Sequence, residues 1–207
     1  MRDDIDAFEL TPWERTDEAS WQRRKDNLWI SPVAPLNKLV EELRRETADH
    51  VPWIDPFCGG TEAQIMAVLL RPGRLGAMAT DFLSLANGDP TARNMIKALT
   101  EVGISYRKMM FWNAIPWAGE REEKITSAMR EQGRAMLERL VPLLPELKSA
   151  ILVGGEAQRV GKLVTWPPTV RVLECAHPGP FVWNQFRYRE QKQGIFEAFR
   201  KAAALTS

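Results

Sequence analysis

The sequence predicts an α/β fold: a three-layer α/β/α sandwich built on a central, mainly parallel four-stranded sheet. Three observations carry this expectation. Four short runs, "IMAVLLR" (65–71), "KMMFWNAI" (108–115), "SAILVG" (149–154) and "TVRVLE" (169–174), are rich in apolar residues, and the first is apolar without a break up to Arg71, as a strand buried on both faces requires. Segments with apolar residues at three- and four-residue spacing separate these runs, and strands alternating with helices imply parallel pairing. The 207 residues, 44 % hydrophobic and 27 % charged, are enough for one core and lie within the range of a single domain.

Each element has its own justification. Residues 1–34 are polar, contain tryptophan and are punctuated by Pro12 and Pro32, so they read as an N-terminal extension, irregular or partly helical, packed on the domain. "LNKLVEELRRETADH" places Leu36, Leu39, Val40 and Leu43 on one helical face and ends near His50 and Pro52. After the first strand, Pro72 and Gly73 open a glycine-bearing loop, 72–88. The next helix has the clearest start: Asp89 as cap, Pro90 at the first helical position and Gly103 as stop. A long helix within 123–147, broken near Pro142, follows the second strand; a short one begins at Gly154 and Gly155; a closing helix over 188–205 turns Ile195, Phe196 and Phe199 inward. No internal repeat or low-complexity tract is present.

Composition narrows the function classes. With 28 Lys plus Arg against 27 Asp plus Glu, the net charge is +1, so an anionic partner has to be held by a local patch. Cys58 and Cys175 are too few for a disulfide framework or a four-thiolate cluster and read as small buried residues, which argues against an iron-sulfur or structural zinc site; "GGEAQRVG" lacks the longer fingerprints of nucleotide cofactors, and no metal or organic cofactor is expected. No apolar run is long enough to cross a membrane, and "MRDDIDAFEL" is unlike a secretory signal, so a cytoplasmic monomer without membrane contact is expected.

In open parallel sheets ligands bind beyond the carboxyl ends of the strands. The segments there read "RPGRLGAMATDF", "NAIPW", "GGEAQ" and "AHPGP", and together they bring Arg71, Asp81, Phe82, Asn113 and His177 around one cleft. These residues, in this order, resemble the uracil-DNA glycosylase superfamily over about 65–200. The "LLRPGR" strand end, Phe82, Asn113 in "WNAIPW" and His177 in "HPGP" correspond to that superfamily's short Pro-Gly motif, its stacking Phe, its strand-end Asn and its His-Pro-Ser-Pro-like loop.

The resemblance implies a monofunctional enzyme that hydrolyses the N-glycosidic bond of uracil in single- or double-stranded DNA, with the base flipped into a pocket. It assigns Phe82 to stacking on that base, Asn113 to its hydrogen-bonding edge, and His177 to the charge that develops on the leaving base. Arg71 and Gly73 belong to the substrate-binding loop, and Phe181 matches the wedge that fills the vacated stack. Asn184, Arg187 and Arg189 would hold phosphates.

The chain departs from the superfamily where Arg71 occupies the place of a water-positioning Asp, Asn or Glu, since a guanidinium is no general base. This marks a divergent, bacterial-type member. Arg71 reads as a phosphate contact or ion-pair partner; Asp81 is the first candidate to orient the water, with Asp89 and Asp55 behind it. The same departure motivates an alternative, a weak or inactive binder of uracil-containing or abasic DNA.

Overall fold

The computed structural model describes residues 18–47, 49–119 and 123–206. Its centre is a four-stranded, wholly parallel sheet of β2 (Ile65–Leu69), β4 (Met109–Asn113), β5 (Ser149–Val153) and β6 (Arg171–Cys175), in the order β4-β2-β5-β6. The register pairs Leu69 with Asn113 and Val153 with Cys175, which aligns the carboxyl ends of all four strands. β2, β4 and β5 are buried almost throughout, as their apolar runs predict, whereas the edge strand β6 exposes Arg171 and Glu174.

Helices flank this sheet: α1 (Glu18–Asp26), α2 (Ala34–Thr47), α3 (Ala77–Thr80), α4 (Pro90–Val102), α5 (Ser127–Leu140), α6 (Gly155–Gly161), α7 (Pro180–Asn184) and α8 (Arg189–Ala203). α4 packs on α8, which lies against β5 and β6, while α5 packs on α6. The boundaries of α4 are those its caps predict. The Asp89 carboxylate accepts from the amides of Thr91 (2.9 Å) and Ala92 (3.2 Å), and Gly103 closes the helix at φ 77°. α5 stops at Leu140, just before Pro142, and a single 3₁₀ turn, Val141–Leu143, follows.

Two features depart from the sequence reading. The expected loop 72–88 contains α3, a 3₁₀ turn at Leu85–Asn87 and a two-residue strand, β3 (Phe82–Leu83). β3 pairs in parallel with β1 (Trp53–Ile54) in a second, small sheet. Strands of two residues have no periodicity to read. Of the N-terminal extension, residues 1–17 lie outside the described residues, and the remainder is α1 and the turn into α2.

α1 is bound to the domain by a buried charge network. Arg24, 1 % exposed, lies 3.2 Å from the carboxylate of Asp55, which is fully buried. Asp55 also accepts from the Tyr106 hydroxyl (3.1 Å), the Phe57 amide (3.0 Å) and the Ser84 hydroxyl. Burial, and then the Asp55 charge, hold the Tyr106 phenol well above its ordinary pKa, so it remains a donor. Removing one partner of a buried ion pair leaves the other without compensation. Asp55→Ala is therefore expected to cost about 3–5 kcal/mol, read as the shift of a denaturant unfolding midpoint. A loss below about 1 kcal/mol, the range of solvated pairs, would show that water supports the network.

Candidate functional site

The aligned carboxyl ends of β2, β4 and β6 open onto one cleft of about 240 Å³. That is just below the usual range of ligand sites, roughly 300–1,000 Å³, and it suits a single ring better than a dinucleotide. Leu69, Ala77, Leu83, Leu85, Met95 and Phe111 supply apolar walls, and Ser84, Asn87, Asp89, Asn113, Arg71 and His177 supply polar groups.

Each polar group is delivered by a specific local structure. The ladder between β2 and β4 continues past both strands through Ala114 N–H to Leu69 O (2.7 Å) and Ile115 N–H to Leu70 O (2.9 Å). Asn113 and Arg71 are thereby carried from neighbouring strands to the same cleft, Asn113 at the floor and Arg71 two positions further along the ladder at the rim. Asn113 is 3 % exposed, and its Nδ2 has no hydrogen-bond partner among the described residues. A buried amide donor without a partner costs roughly 1–3 kcal/mol, so a ligand acceptor at that point has free energy to gain. Asn87 contrasts with it: its carbonyl accepts from Thr80 (2.9 Å) and its amide donates to Phe82 O (2.9 Å), which consumes both ends in holding the loop.

His177 follows β6 by two residues and reaches the cleft that Asn113 also lines. The loop carrying it is tied to α4 by Asn94 Nδ2, which donates to Pro178 O at 2.8 Å. Gly154, at φ 88°, admits the loop on its other side; a Cβ there would stand 3.2 Å from that of His177. His177 is exposed at the mouth of the cleft, yet desolvation on its cleft side lowers its pKa, against a weaker upward pull from Asp89. The imidazole is thus neutral at physiological pH, with one N–H to donate.

Asp89 is the carboxylate that lines the cleft. Oδ1 caps α4, while Oδ2 lies where loop 72–88 passes at Gly76; a Cβ on Gly76 would come within 2.4 Å of it. The first sequence candidate, Asp81, does not line the cleft. It caps α3 at φ 63° and is drawn to the other side of the loop by Arg44 (2.5 Å) and His50 (2.9 Å). Phe82 also does not line the cleft: it is 1 % exposed and its ring packs on Trp21, centroids 5.3 Å apart. Leu83, Leu85 and Phe111 provide the apolar surface instead. Asp55, the third candidate, reaches the cleft only through Ser84.

Arg71 lines the rim and its guanidinium is turned to Glu123 at 2.9 Å, as an ion-pair partner. Gly73 stands beside it with open space around its Cα. Phe181 is 55 % exposed at the start of α7, stacked 4.8 Å from Tyr188 with Arg187 over its ring at 5.1 Å. Asn184 and Arg189 are exposed on the same stretch. The sequence reading missed Ser84 and the tether Asn94, and ranked Asp89 second. The signal for Asp89 was present, because a helix cap that follows a strand-end loop faces the carboxyl edge of the sheet.

Both cysteines are buried, free thiols, and burial pushes each up to about 12. Among the described residues no group of three or more His, Cys, Asp or Glu is placed to hold a metal ion, and no helix is long and apolar enough to cross a membrane.

Among solved structures, similar chains include the uracil-DNA glycosylase of mimivirus. For that enzyme the TM-score is 0.40, with 13 % identity over 81 % of this chain and 71 % of the other. Two variant forms of it in complex with UGI give TM-scores of 0.39 and 0.40 at 12 % identity, covering 83 % and 84 % of this chain and 72 % of each of theirs. No protein-family model and no curated protein matches the sequence.

Proposed function

We propose that the protein is a monofunctional uracil-DNA glycosylase, hydrolysing the bond between uracil and deoxyribose in DNA. The observation that supports this best is the buried Asn113 amide whose Nδ2 lacks a partner at the end of a small, mostly apolar cleft. Uracil presents an N3–H donor beside the O4 acceptor. The carbonyl of Asn113 accepts from N3–H while Nδ2 donates to O4. Cytosine reverses both groups, and a site built to hydrogen-bond one pattern rejects the other because its own polar atoms stay unpaired.

His177 donates its N–H to O2. As the C1′–N1 bond breaks, its electron pair passes into the ring and charge grows on that oxygen, where a fixed donor in an apolar site is most effective. Asp89 then takes the water-orienting role: its carboxylate accepts a proton from the water that attacks C1′. Phe181, Arg187, Asn184 and Arg189 contact the DNA beside the cleft, with Phe181 in the space the flipped base leaves. Arg71, held by Glu123, acts at the rim and outside the chemistry.

The test is incubation with single- and double-stranded oligonucleotides carrying one uracil, followed by alkali. Strand cleavage only after alkali is the expected result; no cleavage above background at any salt concentration overturns the proposal. Tight uracil-dependent binding without base release would select the inactive binder, which Arg71 in place of a carboxylate favours.

A further inference from the structure

Beyond the cleft, the most exposed large apolar side chain among the described residues is Phe186, with 80 % of its surface in solvent. It stands on the 3₁₀ turn Phe186–Tyr188 between α7 and α8, nine residues past His177. The guanidinium of Arg189 lies 4.6 Å from its ring centroid. Nearby, Arg187 covers both Phe181 (5.1 Å) and Tyr188 (4.8 Å), and Lys192 covers Trp183 (4.6 Å). Ring and cation therefore alternate along one surface. Among the described residues Arg187, Arg189 and Lys192 enter no ion pair, although Glu190 and Glu197 lie on the same helix; Arg200, further along, is paired with Glu101 at 3.5 Å.

We propose that Phe186, backed by Arg189, is a second stacking platform, holding an unpaired base of single-stranded DNA next to the nucleotide in the cleft. The position of that base relative to the cleft rests on the reading of the cleft as a uracil site; the platform itself does not. Three cations without acidic partners match a polyanion, and exposed aromatic faces match the faces of bases. In a duplex those faces are covered by their neighbours, so an aromatic side chain gains contact only by unstacking a step. A single strand presents them at no such cost.

The experiment measures binding of the full chain to a uracil-free oligonucleotide, as single strand and as duplex, by fluorescence anisotropy at fixed salt. Phe186→Ala is expected to weaken single-strand binding about tenfold, within the range of one base–aromatic stack, and to leave duplex binding and thermal unfolding unchanged. Phe186→Trp restores affinity, and Phe186→Leu behaves like the alanine variant because it keeps apolar area but no π-face. Unchanged single-strand affinity in Phe186→Ala, equal losses for both DNA forms, or full affinity in Phe186→Leu overturns the proposal. Since no base has to be released, loss of single-strand binding in a protein without glycosylase activity supports the platform while rejecting the uracil site. Base release by a Phe186→Ala variant of undiminished single-strand affinity does the reverse.

Discussion

Under the proposed function, Asn113→Ala is expected to lower kcat/KM for uracil release by about 10³-fold while leaving the fold at least as stable. The magnitude follows from removing an acceptor and a donor at once: loss of one fixed transition-state donor costs roughly 10²–10³, and sites built around a substrate hydrogen bond discriminate by 10⁴–10⁵. The stability half has a separate cause. In the free protein Asn113 Nδ2 is buried and has no partner among the described residues, so truncation relieves an unsatisfied donor. Initial rates together with thermal unfolding check both halves. A variant that unfolds earlier and loses activity only in proportion would show that the amide serves the structure and not a substrate.

In the proposed reaction Asp89→Asn is expected to slow the chemical step by roughly 10²–10⁴, the contribution of a positioned general base. Asn and Asp are equivalent helix caps, so α4 should retain its bonds to the amides of Thr91 and Ala92 and its stability. Asp89→Ala should add a loss of about 1 kcal/mol from the missing cap, and this separates the two duties of one side chain. Single-turnover base release with saturating enzyme isolates chemistry from binding. Asp81→Asn is the internal control: its carboxylate is engaged by Arg44 and His50 away from the cleft, and turnover should be unaffected. Normal chemistry in Asp89→Asn would return the water-orienting role to the substrate or to another group.

The main sheet was legible because three of its strands are buried on both faces and therefore written as uninterrupted apolar runs. α4 was legible to the residue, since Asp89, Pro90 and Gly103 each act through local backbone chemistry. Asn113 and His177 were placed at the cleft by the rule that parallel strands deliver their following residues to one edge. Asp81 and Phe82 come a dozen or so residues after β2, and α3 and the pairing of β1 with β3 turn them away from the cleft. Counting along a loop does not reveal a helical turn hidden within it. The buried network was beyond sequence reasoning for a different reason: Arg24, Asp55, Ser84 and Tyr106 meet from far apart in the chain, and no periodicity relates them.

One helix links the two sides of the proposed chemistry. Asp89 begins α4, and five residues later Asn94 grips the carbonyl of Pro178, next to His177. At about 1.5 Å per residue the helix sets these two anchors about 7.5 Å apart along its axis, and a helix is among the stiffest spacers a chain can make. Any sliding of α4 over the sheet carries the carboxylate and the imidazole loop together, so their separation is insulated from disturbances that would shift either alone. The floor amide, fixed to β4, does not share that motion. A substitution beneath α4 at Leu99, which does not line the cleft, should therefore change how well a base is recognised before it changes how the water and the leaving group are aligned.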